Sequence, residues 1–547
     1  MRRRRRRARS ITTRWAGISR WLRASRSDTF HEQGVGVMIR HGLLIGVTLA
    51  VTAQATAQPV ALRSVAREAV DPIFAQWAAN TSPGCAIAVD RDGRTVLSRA
   101  WGMADLEHGV RNSPDTGFEA GSVSKQFTAA AVLTLVEAGK LTLDTDVRTI
   151  IPELPDYGRV ITIDQLLNHT SGLRDWGGIA GLGGWPRTTR AYDQADALAI
   201  IVRQKALNYA PGAESSYTNT GYNLLTEVVR RVSGKSLADY SQDVLFKPLG
   251  MTHSQWRDDF RRIVPGRAQA YDKAGGRYRQ EMPFENTYGN GGLLTTVGDL
   301  LIWNRALDGG ALGAFVTKKL SERSRLRDGR LLTYGRGLFN YRFHDTEEIA
   351  HAGSTAGYRA WLGRYPAYRL SIAMLCNASD ADSGMGRKVA ALFLPPYAEP
   401  PRTAKTLDGL FVDRASGIPL DLARYNANES RVVSADRIEL TGRDGNVAVY
   451  LRTPPVAASS FVTTDYIGTY ASDEVGATYD IAARPGGGLT WTIRERPGDV
   501  RALAPVYRDA FQGDDGLVRF VRDGAGRVIA LTVSIERARN VRFERRR

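Results

Sequence analysis

The chain has little with which to bind metals, redox centres or nucleic acid. Its 547 residues include two cysteines and seven histidines. Neither a paired-cysteine motif nor H-E-x-x-H occurs, which excludes the common zinc arrangements. A phosphate-cradling glycine loop and a G-x-S-x-G elbow are also missing, which removes P-loop enzymes and the α/β-hydrolase plan. No cofactor and no metal are expected. No apolar run reaches the ~20 residues of a membrane helix, so no transmembrane segment is expected in the mature chain. Lysine is scarce, ten of the 74 basic residues. The formal charge of +17 is not a phosphate-binding signal, because residues 1–57 hold twelve arginines against only Asp28 and Glu32. What remains is spread as a mildly basic surface, so nucleic acid is not an expected partner.

What is present begins with an address. Arg40 and His41 precede an apolar run from Gly42 to Ala53, followed by the small-x-small triplet Ala55-Thr56-Ala57. This reads as a signal peptide cut near Ala57, and so as an exported protein, periplasmic or secreted. The stretch before it, with Arg2 to Arg7, has no apolar periodicity. It reads either as the product of a start codon placed too far upstream or as an organellar transit peptide. Cys85 and Cys376 both lie in strand-like runs. In an oxidising compartment they either pair or stay as two separate buried thiols.

Hydrophobic residues make up 43% and charged residues 24%, an ordinary globular composition. The length accommodates roughly three or four domains. Val65 to Ala79 is amphipathic and predicts a helix. Cys85–Val89 and Thr95–Ala100 predict a hairpin about Asp92-Gly93. Phe127 to Val136 is apolar on every side and predicts a buried helix. Helical patterns without clear strands fill 145–310, and strands return at 336–343, 358–365 and 370–376. Strands that bracket a helical block predict one antiparallel sheet flanked by helices, with an all-helical insertion: an α/β (α+β) class. Pro395-Pro396 and Pro400-Pro401 read as a linker, which implies that the part before it folds alone. Beyond them, Leu407-Asp408-Gly409-Leu410-Phe411 is echoed by Tyr466-Ile467-Gly468-Thr469-Tyr470, and two small β-barrels are expected. The expected divisions are leader and signal 1–57, catalytic domain 58–400, and barrels 401–462 and 463–547.

Three short motifs carry chemistry. In Ser122-Val123-Ser124-Lys125, a helical i,i+3 spacing lets the amine reach the hydroxyl. A Lys buried by the apolar helix behind it loses proton affinity and can act as a neutral base for a Ser nucleophile. In Tyr217-Thr218-Asn219, a phenol with its pKa lowered by a nearby Lys can pass a proton to a leaving group, and the Asn amide can hold a substrate carbonyl. The bland alternative is a packed loop Tyr with a turn Asn, and Tyr288-Gly289-Asn290 shows how common the pattern is. In His351-Ala352-Gly353 the glycine allows a substrate backbone to approach. A His with an ordinary pKa is mostly neutral at pH 7, so it discriminates weakly for a substrate carboxylate; Thr355 and Arg359 stand near enough in sequence to help. His169 reads as part of a helix-ending turn.

In this order, with Leu167-Asn168-His169-Thr170-Ser171-Gly172-Leu173 between the first two, the motifs resemble the class C β-lactamase and penicillin-binding-protein superfamily. The resemblance covers roughly residues 70 to 395. It implies that Ser122 is acylated, that Lys125 and Tyr217 relay protons and that Asn219 binds the substrate amide. It also implies an oxyanion hole made by the backbone N–H groups of Ser122 and Ser354. The tail, with Tyr466 to Glu474 and Arg537 to Phe543, resembles the D-stereospecific aminopeptidases. There a loop of the last barrel reaches the active-site mouth, whereas the matching stretch here, Tyr507 to Gly516, is short. The resemblance implies a serine hydrolase acting on amide bonds next to D-residues of a small-molecule or peptide substrate. Its alternatives are a D-Ala-D-Ala carboxypeptidase, a β-lactamase, a short-chain esterase, or a non-catalytic penicillin- or peptidoglycan-binding module.

Overall fold

The computed structural model describes residues 67–546 apart from 188, 399–406, 422–429, 443, 457–460, 485–487 and 515. The expected leader and signal, residues 1–57, and Pro400-Pro401 lie outside these.

The central sheet is built from both ends of the catalytic region. Its strands are β1 (Cys85–Arg91), β2 (Arg94–Trp101), β3 (Phe339–Phe343), β4 (Thr346–Thr355), β5 (Tyr358–Tyr365) and β6 (Leu370–Cys376), in the order β3-β4-β5-β6-β1-β2. All neighbours are antiparallel. Side chains alternate across β1. Ala86 and Ala88 face the helical side, while Cys85, Ile87 and Val89 face a second layer with Phe74, Trp77 and Val389. Both faces are covered, which is why β1 and β6 read as unbroken apolar runs. Cys85 and Cys376 stand opposite each other in register and form a disulfide, which decides between the two readings.

Helix α1 (Lys125–Glu137) is buried on nearly every side, from Phe127 through Leu133, as its composition predicts. Two expectations fail locally. The amphipathic stretch ending at Ala79 is not one helix but three short turns, Arg67–Val70, Asp71–Phe74 and Ala75–Trp77. Pro72 lacks the N–H that a continuous helix needs there. The insertion is not all helical either. It contains the strands Gln255–Trp256, Tyr271–Ala274, Arg277–Gln280 and Leu293–Thr295, too short to show a two-residue period.

Beyond the catalytic region the tail forms one barrel. Eight strands from Gly468–Ser472 to Ala538–Arg545 close upon themselves around Tyr470, Tyr479, Trp491 and Phe543. The expected first barrel is an open four-stranded sheet among the described residues, from Phe411–Asp413 to Val447–Arg452. Outside the buried strand Phe411–Asp413 its strands are half-buried to exposed, and only Ile438 is buried in them, too little apolar surface to fill a barrel.

The proline cluster does not separate two independent cores. One apolar cluster runs from Trp176, Ile179 and Leu182 into Tyr479, Trp491 and Ile493. Across the same boundary Arg174 Nη1 donates to Glu474 Oε2 at 2.7 Å, with 2% and 8% of the side chains exposed. Arg174 Nη2 also donates to the carbonyls of Arg539 and Asn540, at 3.0 and 3.2 Å. Truncating one member of such a pair strands the other charge in the interior. Arg174→Ala should therefore destabilise the protein by about 3–5 kcal/mol, read as a lower urea midpoint. An unchanged midpoint would mean that the barrel is only loosely attached.

Candidate active site

The turn Gly121–Ser124 leads straight into α1, so Ser122 lies half-buried at the helix entrance and Lys125 is its first residue. Lys125 Nζ is wholly buried, 3.1 Å from Ser122 Oγ, 3.0 Å from Asn219 Oδ1 and 2.6 Å from the Asn290 carbonyl oxygen. Burial holds its pKa well below the ordinary Lys value, helped by the positive charges of Arg537 and then Arg187 and opposed by Asp175. A neutral amine has two hydrogens and one lone pair. With two carbonyl oxygens taking the hydrogens, the lone pair is left for Ser122.

Helix α3 follows three earlier helices of the insertion, α2 (Ile163–Leu167) among them, and spans Asn219–Ser233. Its first residue, Asn219, is fixed by Asp175, whose Oδ2 accepts from the Asn219 N–H at 2.7 Å and from Thr218 Oγ1 at 3.3 Å. The Asn219 side-chain oxygen is thus turned to Lys125. Tyr217 lies just before, its ring centroid 4.9 Å from Lys125 Nζ and 4.4 Å from the His169 ring. Its hydroxyl is buried beside Ser122, outside hydrogen-bond geometry. Here the expected lowering of the phenol pKa is reversed. Burial raises it, and the neighbouring Ser122 hydroxyl pulls it only part of the way back. A neutral Lys125 supplies no charge to counter that burial.

His351 sits within β4 rather than at its start and is 3% exposed. Its Nδ1 is 2.6 Å from the Ala352 carbonyl oxygen, and Nε2 is 3.4 Å from Tyr334 Oη. Burial, then Lys125 once protonated at acid pH, pushes its pKa down to about 3, so it is neutral at pH 7. Arg359 donates to the carbonyls of Ala356 and Tyr358, both at 2.8 Å, and so is engaged with its own backbone.

Two glycines let β4 lie against the Ser122 turn. A Cβ on Gly353 would overlap the Ala120 carbonyl oxygen. Gly121 has φ +50, and a Cβ there would stand 2.6 Å from the Ser354 nitrogen. That places the Ser354 backbone N–H beside the residue that precedes Ser122.

The structure thus brings all seven sequence-predicted residues, Ser122, Lys125, Tyr217, Asn219, His351, Gly353 and Ser354, into one region. It adds three that sequence reasoning missed. Asn290 acts through its carbonyl, which leaves no side-chain signature. His169 follows α2 in a positive-φ turn, φ +62, as its reading as a helix-ending residue requires. It also packs between Tyr217 and Tyr334, and its Nδ1 accepts from the Thr218 N–H at 3.4 Å. Arg537 arrives from the last barrel. The loop between Tyr507 and Ala510 is tight, and a different turn of the barrel, at Glu536-Arg537, reaches the site.

A half-buried Ser beside a buried Lys, packed against β4 of the antiparallel sheet, defines a serine hydrolase. The chain belongs to the Beta-lactamase family, whose match covers residues 67–394. It is similar to a D-aminopeptidase of Brucella canis, with 28% identity over 519 residues, 85% of this chain and 96% of the relative. A D-aminopeptidase of Gluconobacter oxydans is 26% identical over 439 residues, 78% of this chain and 79% of that one. Among solved structures, it shares its fold with the octameric penicillin-binding protein homologue from Pyrococcus abyssi (TM-score 0.52, 20% identity, 85% of this chain and 96% of that one). It also shares it with a D-stereospecific amidohydrolase from Streptomyces sp. (TM-score 0.52, 22% identity, 60% and 99%).

Proposed function

We propose that this serine hydrolase cleaves amide bonds next to D-residues through an acyl-enzyme on Ser122. The observation that carries the mechanism is the three-way hold on a buried Lys125. Its amine takes the Ser122 proton as Oγ attacks the substrate carbonyl carbon. The N–H groups of Ser122 and Ser354 receive the oxyanion. Tyr217, neutral and next to both Ser122 and Lys125, passes the proton to the leaving nitrogen, and the C–N bond breaks. Water then repeats the sequence in reverse order of groups and releases the acid. Asn219 holds Lys125 with its oxygen and has its NH₂ for a substrate carbonyl. The D-residue reading draws on the two relatives called D-aminopeptidases, the first of which is matched over nearly its whole length.

The exported location is part of the same proposal. It rests on the signal-like segment ending at Ala57 and on the buried Cys85–Cys376 disulfide, which suits an oxidising compartment. Among the described residues no helix is long and apolar enough to cross a membrane.

The test is kcat/KM for D-Ala-amide, L-Ala-amide, acetyl-D-Ala-D-Ala, a chromogenic cephalosporin and a butyrate ester. The D-amide should exceed the L-amide by about a hundredfold, the size of about 2.7 kcal/mol of differential transition-state binding. Turnover of the cephalosporin or the ester alone would replace this reading with a β-lactamase or an esterase. No turnover together with an unreactive Ser122 would leave a binding module.

A further inference from the structure

The barrel turn at Glu536-Arg537 carries a charge to which the reaction above gives no substrate contact. Its backbone is clamped to the catalytic domain. The Arg537 carbonyl accepts from the Asp175 N–H and from Asn208 Nδ2, both at 3.1 Å. Asn208 Oδ1 in turn accepts from the Arg539 N–H at 2.7 Å. The clamp therefore needs no part of the Arg537 side chain. That side chain lies over Tyr217, its guanidinium carbon 5.1 Å from the ring centroid. Among the described residues the guanidinium donates no hydrogen bond, and its acidic neighbour Glu536 is 3.8 Å away with 86% of its side chain exposed.

The other cations around the site are committed. Arg187 is held by Glu285. Arg539 is paired with Glu214 at 2.7 Å. Arg359 is turned to backbone carbonyls. His351 is neutral. Among the described residues at the site, Arg537 alone presents a full charge with its guanidinium donors available.

We infer that Arg537 binds a carboxylate on the leaving-group side of the substrate, so that the barrel sets a preference for peptides over simple amides. This rests on the Ser122–Lys125–Tyr217 reading above. Tyr217 delivers its proton to the leaving nitrogen, so a group lying across the Tyr217 ring neighbours the leaving part. The carboxylate of a released amino acid is two bonds from that nitrogen. A guanidinium is suited to it, because its paired N–H groups match the two oxygens. Arg537 thus supplies the positive charge that His351 does not, and a free amine on the acyl side stays compatible with it.

The experiment separates leaving-group charge from D-specificity. Two aryl acetates that differ in the leaving group, 4-nitrophenyl acetate and 5-acetoxy-2-nitrobenzoate, are compared in the full-length protein, Arg537→Gln and Arg537→Lys. The pair D-Ala-Gly and D-Ala-Gly-amide is run alongside. The readout is the ratio of kcat/KM for the carboxylated to the neutral member. Arg537 also depresses the Lys125 pKa, but that effect falls on both members and cancels in the ratio. Arg537→Gln should lower the ratio about tenfold or more, the weight of one charged hydrogen-bonding pair, and Arg537→Lys should recover part of it. An aryl ester ratio unchanged in Arg537→Gln overturns the inference. If that ratio falls while neither D-peptide is cleaved, the carboxylate site stands and the D-residue reading fails.

Discussion

Lys125→Arg should lose kcat/KM by a factor on the order of 10⁴, at the upper end of what a general base contributes. A guanidinium cannot give up its proton at any working pH, so it has no lone pair to offer Ser122. It also has more donors than the three oxygens around Lys125 Nζ can satisfy. The wild-type pH profile checks the same point independently. The active form is the neutral amine, so activity is present above the Lys125 pKa and lost as pH falls through it. Because burial holds that pKa well below the ordinary 10.5, the acid limb should appear well below pH 10.5 and be absent from the variant's residual rate. A variant with near-normal activity would remove Lys125 from the mechanism, whatever its geometry.

Gly353→Ala should cost about 10²–10³ in kcat, the scale of losing one oxyanion donor. The added methyl has nowhere to go, since it overlaps the Ala120 carbonyl oxygen and stands 3.2 Å from the Ala360 Cβ. Both obstacles belong to packed structure: Ala120 precedes the Gly121–Ser124 turn, and Ala360 faces Gly353 across β4 and β5. The strand must move off the turn, and the Ser354 N–H moves with it, away from Ser122. The loss should be in kcat more than in KM, because the oxyanion forms only after binding. Thermal unfolding of the variant, measured beside its kinetics, separates this displacement from general unfolding. Wild-type kcat in a folded Gly353→Ala would show that Ser354 takes no part.

What the sequence reveals about this site follows from how locally each element is encoded. Ser122 and Lys125 are one helical turn apart, so their meeting is written in the spacing. The all-round apolar character of α1 is likewise local, and it foretells that Lys125 is buried. Tyr217-Thr218-Asn219 runs into a helix that begins at Asn219, and the structure gives this Asn a second duty that spacing cannot express, holding Lys125. Asn290 was out of reach because only its backbone oxygen matters. Arg537 was out of reach because nothing local distinguishes it from the other arginines of a strongly Arg-biased chain. The Tyr217 pKa departs from its sequence expectation because it depends on burial, a tertiary quantity, more than on the nearby amine. The sequence echo of the last domain predicts a barrel for the middle sheet, but outside Phe411–Asp413 its strands lack the buried face that closes one.

The central claim is that Ser122 is the nucleophile, and covalent labelling reads it directly. The protein is treated with an active-site serine phosphonate and the labelled peptide is mapped by mass spectrometry, with Ser122→Ala beside it. The label should sit on Ser122 and disappear in the variant. Ser124 should stay unmodified, since it is buried and its Oγ accepts from the Leu293 N–H at 3.0 Å. A label on Ser124 or Ser354, or one that persists in a folded Ser122→Ala, would contradict the account.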